Sequence, residues 1–215
     1  MAQQEPLLRG PRGALIVIEG LDRAGKSTQC ALLQQRIPNS RIVKFPDRTT
    51  PTGHIINTYL TDPSSSLDDH AIHLLFSANR WECLPTLLSS LSSGETLILD
   101  RYIYSGIAFS CAKGLSYDYC RAPDIGLPAP DAVIFLDLPV ERAEQREGFG
   151  GERYEVGEFQ MRVRERFGEV REKEGGEWRV VDAGRAREVV AEEVGVFAEL
   201  AVEAAKRGRE LGRIE

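Results

Sequence analysis

The chain predicts an α/β fold, a parallel sheet covered by helices on both faces, and three observations carry that reading. Short runs rich in Ile and Val recur at residues 14–19, 41–45, 96–100, 132–137 and 178–182. Stretches with helical spacing separate them, as strand–helix–strand units require. The first run opens onto a glycine-rich loop that leads straight into a helix.

The elements follow in order. Residues 14–19 form an apolar run with no polar alternation until its end, the pattern of a strand buried on both faces. A helix is predicted from Lys26 to about Arg36, stopped by Pro38. The second strand, 41–45, is cut off by Pro46. Pro51 and Gly53 open a short helix to about Leu60. The serines at 64–66 supply N-cap candidates for a longer helix from about Leu67. Its buried face is read from Trp81, Leu84, Leu88 and Leu91, and Pro85 is expected to kink or divide it. After the strand 96–100 a helix is expected from about Ser105. The run 178–182 is a weaker fifth strand. A last helix spans 186–207, with Val190, Val194, Phe197 and Ala201 on one stripe.

The bulk composition suits one domain. The 215 residues are 42% hydrophobic and 28% charged, enough for a full core. Residues 1–12 are expected to be a flexible leader, 13–207 the domain and 208–215 a tail. Residues 141–177 are heavy in Glu, Arg and Gly, and this stretch is expected to be the most solvated part. The net charge of -6 argues against a nucleic-acid-coating protein. No apolar run reaches the roughly 20 residues that span a bilayer. Cys30, Cys83, Cys111 and Cys120 lack metal or disulfide-scaffold spacing, so free thiols in a reducing compartment, cytoplasmic and/or nuclear, are expected.

Residues 20–27, Gly20-Leu21-Asp22-Arg23-Ala24-Gly25-Lys26-Ser27, fit the P-loop pattern G-x-x-x-x-G-K-S, with Thr28 following. The glycines let the backbone wrap so that its N–H groups face phosphate oxygens. Lys26 brings a compact charge to the terminal phosphates, and Ser27 a hydroxyl to Mg2+. A nucleoside triphosphate as phosphoryl donor follows from this context. Asp100 ends the strand 96–100 and is read as a contributor to the metal shell. Arginines stand where strands and helices meet loops: Arg48, Arg80, Arg101, and Arg142, Arg146 and Arg153 around the glycine stretch 148–151. Two phosphorylated substrates need such guanidinium groups. Phe76 and Arg80 share a helix face. They are either a core phenylalanine with a surface charge, or a ring that stacks on a base beside a donor that reads its edge. Tyr102, Tyr104 and Phe109 line a pocket or pack the core. His70 and His73 lack the further ligands a metal site needs.

With these residues in view the chain resembles the thymidylate kinase family, of the eukaryotic, fungal-like type. The resemblance rests on EGLDRAGKSTQ at 19–29, KFPDRTTPTG at 44–53, HLLFSANRWE at 73–82, LDRYIYSGIAFSCAKG at 99–114, PDIGLPAPD at 123–131, GFGGERYE at 148–155 and FQ at 159–160. It implies transfer of the ATP γ-phosphoryl group to dTMP with Mg2+, a five-stranded parallel sheet in a three-layer P-loop NTPase fold, a mobile lid over about 142–153, and a homodimer. It implies that Phe76 stacks on thymine and Arg80 bonds its edge. Arg48 and Arg101 would hold the acceptor phosphate, with Phe45, Ser105 and Gly106 bordering the pocket. Asp22 would contact the sugar 3′-hydroxyl and Tyr154 crowd the 2′ position. Catalysis would fall to Lys26, Arg23, Arg101 and Asp100, with Ser27 and Asp100 on the metal. Arg23 inside the loop marks the type whose lid lacks an extra catalytic arginine, although Arg146 and Arg153 flank Gly148 and Gly150. A GTP-dependent switch would carry N-K-x-D after a later strand; the strand here ends Phe135-Leu136-Asp137-Leu138-Pro139 instead.

Overall fold

The computed structural model describes residues 5–146, 150–175 and 178–215. Five parallel strands form one sheet in the order β2-β3-β1-β4-β5: β1 (Leu15–Gly20), β2 (Ser40–Lys44), β3 (Thr96–Asp100), β4 (Ala132–Asp137) and β5 (Trp178–Asp182). Strand β1 lies at the centre and all six of its residues are buried. Alternate side chains of one strand point to opposite faces. Leu15 and Val17 therefore pack into one core and Ile16 and Ile18 into the other.

Helices α1 (Lys26–Arg36) and α8 (Arg187–Lys206) cover the second face. The first face carries α3 (Asp69–Ser92), α4 (Ile103–Ala112) and α7 (Gly157–Glu174). Helix α2 (Pro51–Thr61) packs on α3 around Ile56, Tyr59, Leu60 and Ile72. The short helices α5 (Tyr117–Arg121) and α6 (Val140–Glu144) complete the layers. Because β1 feeds α1 on one face and β3 feeds α4 on the other, a crevice opens between their carboxyl ends, where ligands of such sheets bind.

The long helix departs from expectation in three ways. It starts at Asp69, because Asp68 rather than a serine caps it and accepts from the backbone N–H of His70 and Ala71. It runs through Pro85 as one 24-residue helix. Its deepest leucines are Leu87 and Leu91, while Trp81 remains 37% exposed. The indole instead donates to the Pro123 carbonyl at 2.7 Å and lies over Gly126.

Helix α4 begins at Ile103, two residues before the expected start. No local side chain caps it. Glu19 does so from β1, its Oε1 accepting from the N–H of Tyr102 at 2.9 Å and of Ser105 at 3.1 Å. Such a cap is invisible to local sequence.

Helix α7 anchors more of the stretch expected to be the most solvated than its composition suggests. Val163, Phe167 and Val170 are buried at helical spacing, with Gln160 one turn earlier. The glutamates and arginines between them occupy the solvent face and mask the stripe in composition.

The leader expectation does not fit residues 7–12, and the tail is no loose end. Leu7 N–H donates to Leu211 and Leu211 N–H to Leu8. Arg12 is 3% exposed and makes a two-pronged ion pair with Asp131, both N–O distances 2.7 Å. Leu211 and Ile214 are buried. Residues 1–4 lie outside the described residues.

Candidate active site

The cleft at the carboxyl ends of β1 and β3 has a volume of about 490 Å³. One wall is the loop 20–27. Gly20 has φ 147 and Gly25 φ 98, and a Cβ at Gly20 would meet the Leu136 carbonyl at 2.7 Å. Only glycine fits there. Leu21 and Ala24 turn into the core. Lys26 is buried, and its ammonium donates to the Leu21 carbonyl at 2.5 Å. Burial first, then the neighbouring Arg101 charge, bring its pKa down to about 8, against the pull of Asp22, Asp100 and Glu19. Burial and a second cation thus disfavour the charged lysine until an anion joins it.

Ser27 Oγ donates to Asp100 Oδ2 at 2.7 Å. The other oxygen, Asp100 Oδ1, is buried with no hydrogen-bond partner. A buried acceptor left unpaired costs about 1–3 kcal/mol. A hydroxyl beside an unfilled carboxylate oxygen is a donor set that suits Mg2+, a hard cation that takes oxygen ligands and keeps several waters. Among the described residues no cluster of three or more His, Cys, Asp or Glu forms a metal site. His73 is instead held between Ser110 Oγ at 2.8 Å and the Cys120 carbonyl at 2.9 Å. The four cysteines are free thiols.

The opposite wall begins at Arg101. Its φ of 75 is strained for a non-glycine residue. The turn aims its guanidinium back at the P-loop, where it donates to the Gly20 carbonyl and Ser105 Oγ, each at 3.0 Å, and to Asp22 Oδ1 at 2.5 Å. Burial pushes the Asp22 carboxyl up, but Arg101, Lys26 and Gln160 together hold it below its ordinary value. Gln160 grips the same residue from α7, accepting from Asp22 N–H at 3.1 Å and donating to Oδ2 at 2.7 Å. Burial pushes the Glu19 carboxyl up, with Arg101 opposing.

Arg48 lines the cleft with its guanidinium shared between Asn57 at 2.9 Å and Glu152 at 2.8 and 2.9 Å. Phe76 and Arg80 line the far end with Phe45, Ser105, Gly106, Phe109 and Tyr154. Of the readings open for that pair, a surface charge does not hold: Arg80 is buried, and Phe76 is half-buried at the cleft wall. Tyr104 packs in the core, and Tyr102 packs there while also bordering the cleft. Tyr154 packs among Phe109, Phe159 and Tyr59.

The lid arginines separate. Arg146 donates to the Arg23 carbonyl at 2.7 Å and to the Ala183 carbonyl at 3.2 Å, so it sits on the P-loop. Arg153 turns away, donating to the carbonyls of Tyr59, Asp62 and Ser65 at the end of α2. Arg142 is exposed and lies against Gly184. Arg23 itself has φ 60 and donates to Glu155 at 3.1 Å. Gly150 is described at a turn, and Gly148 lies outside the described residues.

Sequence reasoning missed Glu19, Gln160, Asp124, Glu152 and Glu155. All five stood inside segments that carry the resemblance, Glu19 in EGLDRAGKSTQ, Asp124 in PDIGLPAPD, Glu152 and Glu155 in GFGGERYE and Gln160 in FQ, but nothing local said what they reach.

A P-loop facing a wall lined by Arg48, Arg80 and Arg101, at a sheet's switch point, is the arrangement of a P-loop nucleotide kinase. The family model for thymidylate kinase matches residues 18–194. Thymidylate kinase from Arabidopsis thaliana is 50% identical over 188 residues, covering 86% of this chain and 70% of that protein. The Homo sapiens thymidylate kinase is 45% identical over 199 residues, covering 90% of this chain and 93% of that protein. Among solved structures, thymidylate kinase from Candida albicans superposes with a TM-score of 0.88 at 40% identity, over 96% of this chain and all of that one. The chain belongs to the thymidylate kinase family.

Proposed function

We propose that this chain transfers the γ-phosphoryl group of ATP to the 5′-phosphate of dTMP, giving ADP and dTDP, at the cleft between β1 and β3. One observation carries the assignment of sites. Asp22 lies in the triphosphate loop yet is hydrogen-bonded to Arg101 on the opposite wall. The two walls therefore meet at this pair, the arrangement direct transfer needs.

The loop amides of 20–28 and Lys26 cradle the β- and γ-phosphates. Arg48 and Arg101 hold the acceptor phosphate against the end of β3. Asp22, oriented by Gln160, accepts from the sugar 3′-hydroxyl. Tyr154 closes the 2′ side and so favours deoxyribose. Phe76 stacks on the base and Arg80 donates to its edge. Ser27 and Asp100 fit Mg2+, which when bound neutralises phosphate charge. The nucleophile is already an anion, so these residues work by alignment and charge stabilisation rather than by general base catalysis. Arg23 supplies positive charge to the transferred group, and Arg146 braces the loop that carries it. Lid closure over 142–153 keeps water from the γ-phosphate. Family membership supports a homodimer, which light scattering on the eluted protein tests. It also supports work in the cytoplasm or nucleus; no described helix is long and apolar enough to cross a membrane.

A coupled ADP-release assay with dTMP, dUMP, UMP and CMP tests the reading. Turnover fastest with dTMP and dependent on Mg2+ is the expected result. A preference for UMP or CMP would overturn the choice of acceptor.

A further inference from the structure

Arg80 does not stand in the cleft as a free side chain. Its Nε donates to Asp124 Oδ1 at 3.0 Å and its Nη2 to Oδ2 at 2.6 Å. Ser77, one turn earlier on α3, donates to the same Oδ1 at 2.7 Å. Asp124 is fully buried and Arg80 is 3% exposed. Asp124 ends the single 3-10 turn Ala122–Asp124, and that turn is itself pinned. The Pro123 carbonyl accepts from Ser77 Oγ at 3.1 Å and from Trp81 Nε1 at 2.7 Å.

A guanidinium gripped on two donors by a buried carboxylate has a fixed plane and a fixed roll. With Nε and Nη2 engaged, Nη1 has no protein acceptor among the described residues. Gly106 lets it lie there, since a Cβ at that position would meet Nη1 and Nη2 at 3.1 Å. Arginine offers donors only and stays charged. A locked donor pairs with a carbonyl oxygen and finds no partner in an exocyclic amine. Such a site rejects the analogue that leaves its buried polar group unpaired.

We propose that Asp124, seated by Ser77, is a positioning residue that locks Arg80 so that the acceptor site selects 4-oxo pyrimidines over 4-amino pyrimidines. This rests on the assignment of Phe76 and Arg80 to the acceptor base.

The test is steady-state kinetics of Asp124→Asn and Ser77→Ala with dTMP and dCMP, run with a thermal melt of each variant. In Asp124→Asn the KM for dTMP rises about tenfold or more and the dTMP-over-dCMP ratio of kcat/KM falls by a similar factor. The KM for ATP and kcat with saturating dTMP stay within about twofold. Ser77→Ala, which keeps the ion pair, moves the dTMP KM by about two- to fivefold. In an Arg80→Met background the second substitution adds nothing further, because the residue it acts through is gone. Should Asp124→Asn not fold, the same cycle with Ser77→Ala decides. An unchanged dTMP KM, a parallel rise in the ATP KM, or an undiminished effect in the Arg80→Met background overturns the inference. Wild-type protein inert toward dTMP overturns this inference and the functional reading together. Active wild type with unaltered variants overturns the inference alone.

Discussion

Arg146 donates to the backbone carbonyl of Arg23 across 2.7 Å, so it braces the phosphate loop through the main chain, while the Arg23 side chain is held separately by Glu155 at 3.1 Å. Removing the Arg23 charge should therefore hurt more than removing its brace. Arg23→Ala is expected to lower kcat by roughly 10²–10³-fold, the size of losing one donor aimed at developing charge. Arg146→Ala should cost about tenfold or less. Arg153→Ala should lower the melting temperature with little change in kcat, because its three carbonyl partners all lie at the end of α2. A kcat loss in Arg153→Ala equal to that in Arg23→Ala would reverse the assignment.

Lys26 predicts a proton coupled to nucleotide binding. In the free protein it loses its charge as pH rises through about 8, against an ordinary value of 10.5. Bound phosphates favour the charged form, so between those values ATP binding takes up a proton and weakens as pH rises, by up to about tenfold per pH unit. The stability term has the opposite slope. The unfolded chain keeps this proton to higher pH, so the cost of burying Lys26 is fully present below about 8 and fades above it. Calorimetry of ATP binding at about pH 9, in buffers of different ionisation enthalpy, reads the proton count. Binding with no proton uptake there contradicts the geometry.

The unpartnered oxygen of Asp100 predicts a metal phenotype separable from binding. Asp100→Asn and Ser27→Ala should each raise the Mg2+ concentration for half-maximal activity by about tenfold or more. The dTMP KM should move much less. An unchanged Mg2+ requirement in both variants would remove this pair from the metal shell.

Phe76→Ala should raise the dTMP KM by about 10–100-fold, corresponding to the roughly 1–3 kcal/mol of a base on an aromatic face. The ATP KM should not follow. Equal losses for both substrates would show that Phe76 holds the fold instead.

Arg12→Ala should destabilise the protein by about 3–5 kcal/mol, because it leaves the Asp131 carboxylate buried without its counter-charge. Urea unfolding measures this directly, and a change under about 1 kcal/mol would make the pair a surface one in energetic terms.

Local signals carried far in this chain, and distant ones did not. The P-loop, the strand ending in Asp100 and the arginines after strands were legible because spacing within a few residues defines them. Arg80 was legible as a candidate, but Asp124, 44 residues on, was not. Glu19 reaches Tyr102 across 83 residues, and Gln160 reaches Asp22 across 138. No periodicity records such pairings; only the packed sheet creates them. The stripe of α7 was hidden differently, by charged residues that dilute the composition without breaking the spacing of Val163, Phe167 and Val170.

The pair between Arg48 and Glu152 gives the cleft the character of an ion exchanger. Before any acceptor arrives, a carboxylate from the lid segment already sits on the guanidinium. On the proposed reading, an acceptor phosphate entering there would swap one oxyanion for another instead of filling a bare cation. The gain from each encounter is then the small difference between two similar attachments, and few mobile ions are released to bulk solvent. The carboxylate given up by Arg48 belongs to the expected lid, so on the proposed reading occupancy of the pocket would reach that segment as an exchanged attachment.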